Sequence, residues 1–103
     1  MRKIEGASFR ADRAWAGENL AFIERAIVKL RWTDAPFRWH ENATDEIFLV
    51  LGGEVDMHTR APDGSEQIIT LRAGDLLQIR AGESHVAHPR GGASLLVIEG
   101  QEP

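Results

Sequence analysis

The chain has no cysteine, which excludes disulfides, thiolate metal ligands and a cysteine nucleophile. It has no basic run or stripe, and its formal charge is -4 at pH 7, so nucleic acid is not expected as a partner. No apolar stretch approaches the ~20 residues needed to span a bilayer, so no membrane partner is expected. Arg2 and Lys3 are not followed by an apolar run; Met1 to Phe9 therefore does not read as a signal peptide, and a cytoplasmic location is the expectation. Linkers and low-complexity tracts are missing too. What is present is 103 residues, 43% apolar and 27% charged, a size and balance that suit one globular domain.

Turn signals divide the chain. Met1 to Glu18 mixes charges with the isolated aromatics Phe9 and Trp15 and reads as irregular, with a short helical turn near Asp12 to Ala16. Asn19 to Thr33 fits two periods. Leu20, Ile23, Ile27 and Leu30 recur at helical spacing, whereas Ala26, Val28, Leu30 and Trp32 alternate with Ile27, Lys29, Arg31 and Thr33, and β-branched residues cluster there. The β-rich remainder favours a strand from about Phe22. Pro36 ends it, a short strand follows from Phe37 to Glu41, and a longer one runs from Asp45 to Leu51. Gly52-Gly53 turns the chain into Glu54 to Arg60, and Ala61-Pro62-Asp63-Gly64-Ser65 forms a hairpin leading to Glu66 to Leu71. Later turns separate Leu76 to Ile79, His85 to His88 and Ser94 to Glu99. About eight short strands spaced by turns imply an all-β sandwich or barrel.

The chemistry concentrates between Trp39 and Gly53. His40 and Asn42 are two residues apart, so on a strand both point to one face. A short turn at Ala43-Thr44 swings Glu46 back over that face, and Phe48 and Val50 share its parity. Gly74 to His88 is placed to bring His85 to the same cluster. Taken alone, His40 beside Trp39 fits an inward residue satisfied by hydrogen bonds; with Glu46 and His85 it fits a ligand. A buried Glu46 needs a cation or hydrogen-bond donors. Asp45 should face the other way. His88 is off the parity of His85 and fits a rim position, and His58 falls on the wet face of its strand.

Trp39-His40, Asp45-Glu46 and Gly53 resemble the first motif of the cupin superfamily, in which two histidines flank one residue, a glutamate follows and a glycine closes. Gly74, Gly82 and His85 resemble its second motif, with Arg80 where the family usually has proline. The phrasing is closest to small single-domain cupins of the mannose-6-phosphate isomerase-like type. The resemblance implies a double-stranded β-helix, the jelly-roll cupin barrel, with motif one at 39–53 and motif two at 74–88, assembled as a homodimer. Trp32 and Phe22 are the expected dimer face, because an early strand is an exposed edge. In metal-binding cupins the matched positions, here His40, Asn42, Glu46 and His85, hold a divalent transition metal such as Fe, Mn, Zn or Ni. Asn42 stands in place of the second histidine, and its amide oxygen is a weaker, neutral donor.

Two functions follow from the resemblance. One is a metal-dependent enzyme of isomerase, lyase or oxygenase type acting on a small polar metabolite or sugar. A triad of His40, Glu46 and His85 would leave metal positions open, with Glu46 and His88 as candidate acid-base residues. The other is a metal-free or loosely metallated binding or sensor module. In either case Phe37, Phe48, Val50, Met57, Leu77 and Ile79 are the candidate pocket walls around a small-molecule ligand. A purely structural protein with relic site residues ranks last, because both motifs are intact.

Overall fold

A computed structural model describes residues 1–101 as eight strands: β1 (Ala16–Ile23), β2 (Ala26–Thr33), β3 (Glu46–Gly52), β4 (Glu54–Arg60), β5 (Glu66–Arg72), β6 (Leu76–Ile79), β7 (His85–Pro89) and β8 (Ala93–Gly100). Two sheets form, a five-stranded one in the order β1-β2-β8-β3-β6 and a three-stranded one in the order β5-β4-β7. All pairings are antiparallel.

The sheets pack because the strands alternate. On β3, Glu46, Phe48 and Val50 are buried while the residues between them are less so, and Val55 and Met57 do the same on β4. These side chains meet Leu71, Ile79, Ala87, Ala93, Leu95 and Val97 in one apolar cluster. Each fully buried Val, Leu or Met there contributes about 1.5–3 kcal/mol. Gly53 closes the β3–β4 turn at φ 80°, where a β-carbon would also collide with the Gly92 carbonyl oxygen. No helix among the described residues is long and apolar enough to cross a membrane.

Three local expectations are corrected. β1 begins at Ala16, inside the segment read as irregular, and the short helical turn lies at Gly6–Ser8, not Asp12 to Ala16. Phe22 to Thr33 is not one strand. Ile23 pairs with Ala26 across a two-residue turn in which Glu24 has φ 53°, a position where glycine or asparagine is the usual signal. Phe37 to Glu41 is not a strand either, because Pro36 and its neighbours lack ladder partners and only His40 pairs, with His85.

Trp32 does not face outward. It is buried under the N-terminal segment, with the Arg10 guanidinium 5.5 Å from its ring centroid. Phe22 is 61% exposed on edge strand β1.

Candidate metal centre

The loop from Ala35 to Asp45 ties motif one to motif two. His40 and His85 exchange backbone hydrogen bonds, His40 N to His85 O at 3.1 Å and His85 N to His40 O at 3.0 Å. Gly82 N donates to Asn42 O at 3.0 Å, and Ala81 N donates to Asp45 Oδ1 at 2.9 Å. Arg80, standing where proline is usual, lies 3.8 Å from Asp45 Oδ2. Asp45 thus points away from Glu46 and holds the loop.

This fixes three side chains around one point. His40, Glu46 and His85 each bring a donor atom within 4.8 Å of the others, and the two imidazole centroids are 4.3 Å apart. His40 Nδ1 lies 2.9 Å from Arg38 O, and His85 Nδ1 lies 2.9 Å from Glu83 O. A carbonyl only accepts, so both Nδ1 atoms carry a proton, and in the neutral rings both Nε2 atoms keep a lone pair. His85 Nε2 is buried, has no hydrogen-bond partner among the described residues and sits 3.6 Å from Glu46 Oε1. Two neutral imidazoles oriented by carbonyls plus one carboxylate suit a divalent transition metal, and the unpartnered Nε2 fits a ligand in waiting. Burial pulls the His85 pKa down, but the Glu46 carboxylate and the Glu83 carbonyl prevail and raise it above the usual histidine value.

Asn42 behaves differently from the three. Its amide Nδ2 donates to Glu46 Oε1, so it holds the carboxylate from the side. His88 is apart from the cluster. Its strand partner Asp56 and its ring neighbour His58, 4.2 Å away, lie on the face of β4 and β7 opposite Met57 and Ala87. As a candidate acid-base residue it is therefore corrected: the period of the strand turns it out of the interior.

A cavity of about 200 Å³ adjoins the three side chains. Phe37, Phe48 and Met57 line it. Val50 is fully buried in the core instead, and Leu77 and Ile79 line a separate groove of about 590 Å³ between β4, β5 and β6. That groove reaches Met57 and His85 from the other side.

The cavity has four polar or aromatic walls that sequence reasoning did not single out: Trp15, Lys29, Arg31 and Glu99. Glu99 is the cross-strand partner of Glu46, which would set two carboxylates side by side. Lys29 prevents that conflict with an ion pair to Glu99 at 2.5 Å. Arg31 donates from Nη1 to Glu18 O and Leu30 O, at 3.1 and 3.0 Å, and from Nη2 to Asn19 Oδ1 at 2.8 Å. Burial lowers its pKa from the usual arginine value, and the Glu99 charge opposes that shift. The strand alternation of Ile27, Lys29, Arg31 and Thr33 was the available signal, but charged strand positions ordinarily mark a solvent face.

Two antiparallel sheets enclosing a His–Glu–His group define a cupin barrel. More narrowly, the EutQ-like cupin domain matches residues 25–91, well over half of the chain, and the chain belongs to that family. The match does not extend to the mannose-6-phosphate isomerase-like type. No curated protein matches the sequence.

Solved structures share the fold. A cupin-2 domain containing protein from Shewanella frigidimarina is 29% identical over 88% of this chain and 85% of that one, with a TM-score of 0.78. A cupin superfamily protein from Desulfitobacterium hafniense is 23% identical over 98% and 92%, with a TM-score of 0.81. A hydroquinone 1,2-dioxygenase in complex with Fe3+ is 23% identical over 91% of this chain but only 30% of that one, with a TM-score of 0.79.

Proposed function

We propose that His40, Glu46 and His85 hold one divalent transition metal ion, and that the protein is a metal-dependent enzyme acting on a small polar molecule. The observation that carries this is the buried, unpartnered Nε2 of His85 facing the Glu46 carboxylate. An orphaned buried acceptor costs roughly 1–3 kcal/mol, which a ligated cation would remove. The iron of the structurally similar dioxygenase supports the choice of metal class. When bound, such an ion supplies Lewis acidity or a site for dioxygen, from which isomerase, lyase or oxygenase chemistry can each start.

The chain's own residues supply the rest. Asn42 orients Glu46, and Lys29 neutralises Glu99. Trp15 and Phe37, edge to face at 5.4 Å, wall the cavity beside His40. With His88 outside and Glu46 holding the ion, Glu99 is the remaining carboxylate on the cavity wall that could move a proton. A loosely metallated binding module is the second reading, favoured by the Asn42 amide taking up one Glu46 oxygen.

Elemental analysis of protein purified without chelator tests the proposal. The wild type should carry about one equivalent of metal, His40→Ala and His85→Ala should lose it, and His88→Ala should keep it. Restoring metal to chelated protein at about a hundredfold excess over Kd should raise Tm by roughly 10–20 °C. A wild type without stoichiometric metal, unchanged by His85→Ala, would remove the enzyme reading. A shift with small metabolites under chelator would favour the binding module.

A further inference from the structure

We propose that the cavity beside His40, Glu46 and His85 takes a small organic carboxylate, gripped by Arg31. The assignment deepens the metal reading and rests on it.

Charge is the first support. Lys29 and Glu99 cancel as an ion pair on the wall. A divalent ion on one carboxylate and two neutral imidazoles leaves one positive charge. Arg31 adds a second, and no carboxylate among the described residues pairs with it. The lined space is therefore cationic overall and calls for an anion.

Hydrogen bonding is the second. A guanidinium has five N–H groups in a rigid fork, and Arg31 spends three on Glu18 O, Leu30 O and Asn19 Oδ1. Its Nε–H and one Nη2–H have no acceptor among the described residues. Two such N–H groups match the two oxygens of a planar carboxylate. The backbone holds the guanidinium in advance. Gly17 lies opposite Arg31, and a β-carbon there would collide with the Leu30 carbonyl, so β1 runs close to β2 where those carbonyls accept.

Size and shape are the third. The space directly beside the three side chains, about 200 Å³, is below the roughly 300–1,000 Å³ of pockets for drug-sized ligands and is enough for a small acid. Trp15 forms part of the wall with φ 62°, an unusual conformation for a bulky residue, held by Trp15 N to Trp32 O at 2.8 Å and by Nε1 to Ala35 O at 3.0 Å.

The test is calorimetric titration with lactate and pyruvate against their neutral amides, lactamide and pyruvamide, with metal content measured separately. Each acid should bind the metal-loaded protein roughly tenfold or more tighter than its amide. Arg31→Gln should lose that preference at unchanged metal content and leave the amides unaffected. Arg31→Lys, which keeps the charge but not the fork, should retain part of it. If Arg31→Gln does not fold, Arg31→Lys and the acid–amide comparison decide. Equal binding of acid and amide, no binding of either, unchanged lactate binding by Arg31→Gln, or tighter binding of inorganic phosphate than of either acid would each overturn the assignment. A protein without metal in which Arg31 still selects acid over amide would refute the metal reading and leave the carboxylate site standing.

Discussion

Along β3 the inward residues run Glu46, Phe48, Val50, and along β8 they run Glu99, Val97, Leu95, Ala93. β7 adds His85 and then Ala87 in the same direction. One interior therefore has a charged end and a dry end, built by the same strands with the same two-residue period. The dry end needs only close packing. At the charged end nearly every group has a named partner: Lys29 for Glu99, Asn42 for Glu46, and carbonyls for both Nδ1 atoms. Among the described residues, the buried exception is His85 Nε2, beside the two N–H groups that Arg31 leaves without an acceptor. Stability should reside at one end and binding at the other.

That division can be broken at either end. The largest effect belongs to Leu95→Ala, at a fully buried position, with an expected loss of about 2–5 kcal/mol in urea unfolding. Metal content per folded chain should not change. A loss of metal without a loss of stability would erase the distinction between the ends.

Next is Lys29→Met, which leaves Glu99 unpaired beside Glu46. It should cost roughly 1–2 kcal/mol at pH 7, discounted because both partners are partly exposed. Lys29→Met combined with Glu99→Gln should recover most of that loss. Failure of the double variant to recover would show that the ion pair does not govern this end.

The smallest effect is a pH dependence of chelated protein. The His85 pKa is raised on folding, so its contribution is fully present below the unfolded value of about 6.5 and fades as pH climbs through the folded value. Chelated wild type should lose a little Tm between about pH 6 and pH 8, and His85→Ala should not show that component. Identical profiles for the two proteins would contradict it.

How far the site could be read in advance varied by residue. Trp39 to Gly53 and Gly74 to His85 carry local patterns of turn, parity and spacing, and these anticipate β3, β6 and β7 within a residue or two. The β1–β2 hairpin was not legible, because Glu24 adopts a positive φ without the glycine or asparagine that announces such turns. Phe37 to Glu41 looked extended and is extended at His40, yet ladder pairing depends on a partner that lies 45 residues later in the chain. His85 and His88 are indistinguishable by residue type; the strand period separates them, and the sheets decide which parity faces in.

Composition and alternation determined an all-β chain with one apolar core, because burying every second side chain is a local property of extended backbone. Which charged residues share the interior was decided only when β2 settled beside β8 and β8 beside β3, bringing Lys29, Arg31 and Glu99 next to Glu46. A cavity's charge is the sum over segments remote in sequence, and no single stretch contains that sum.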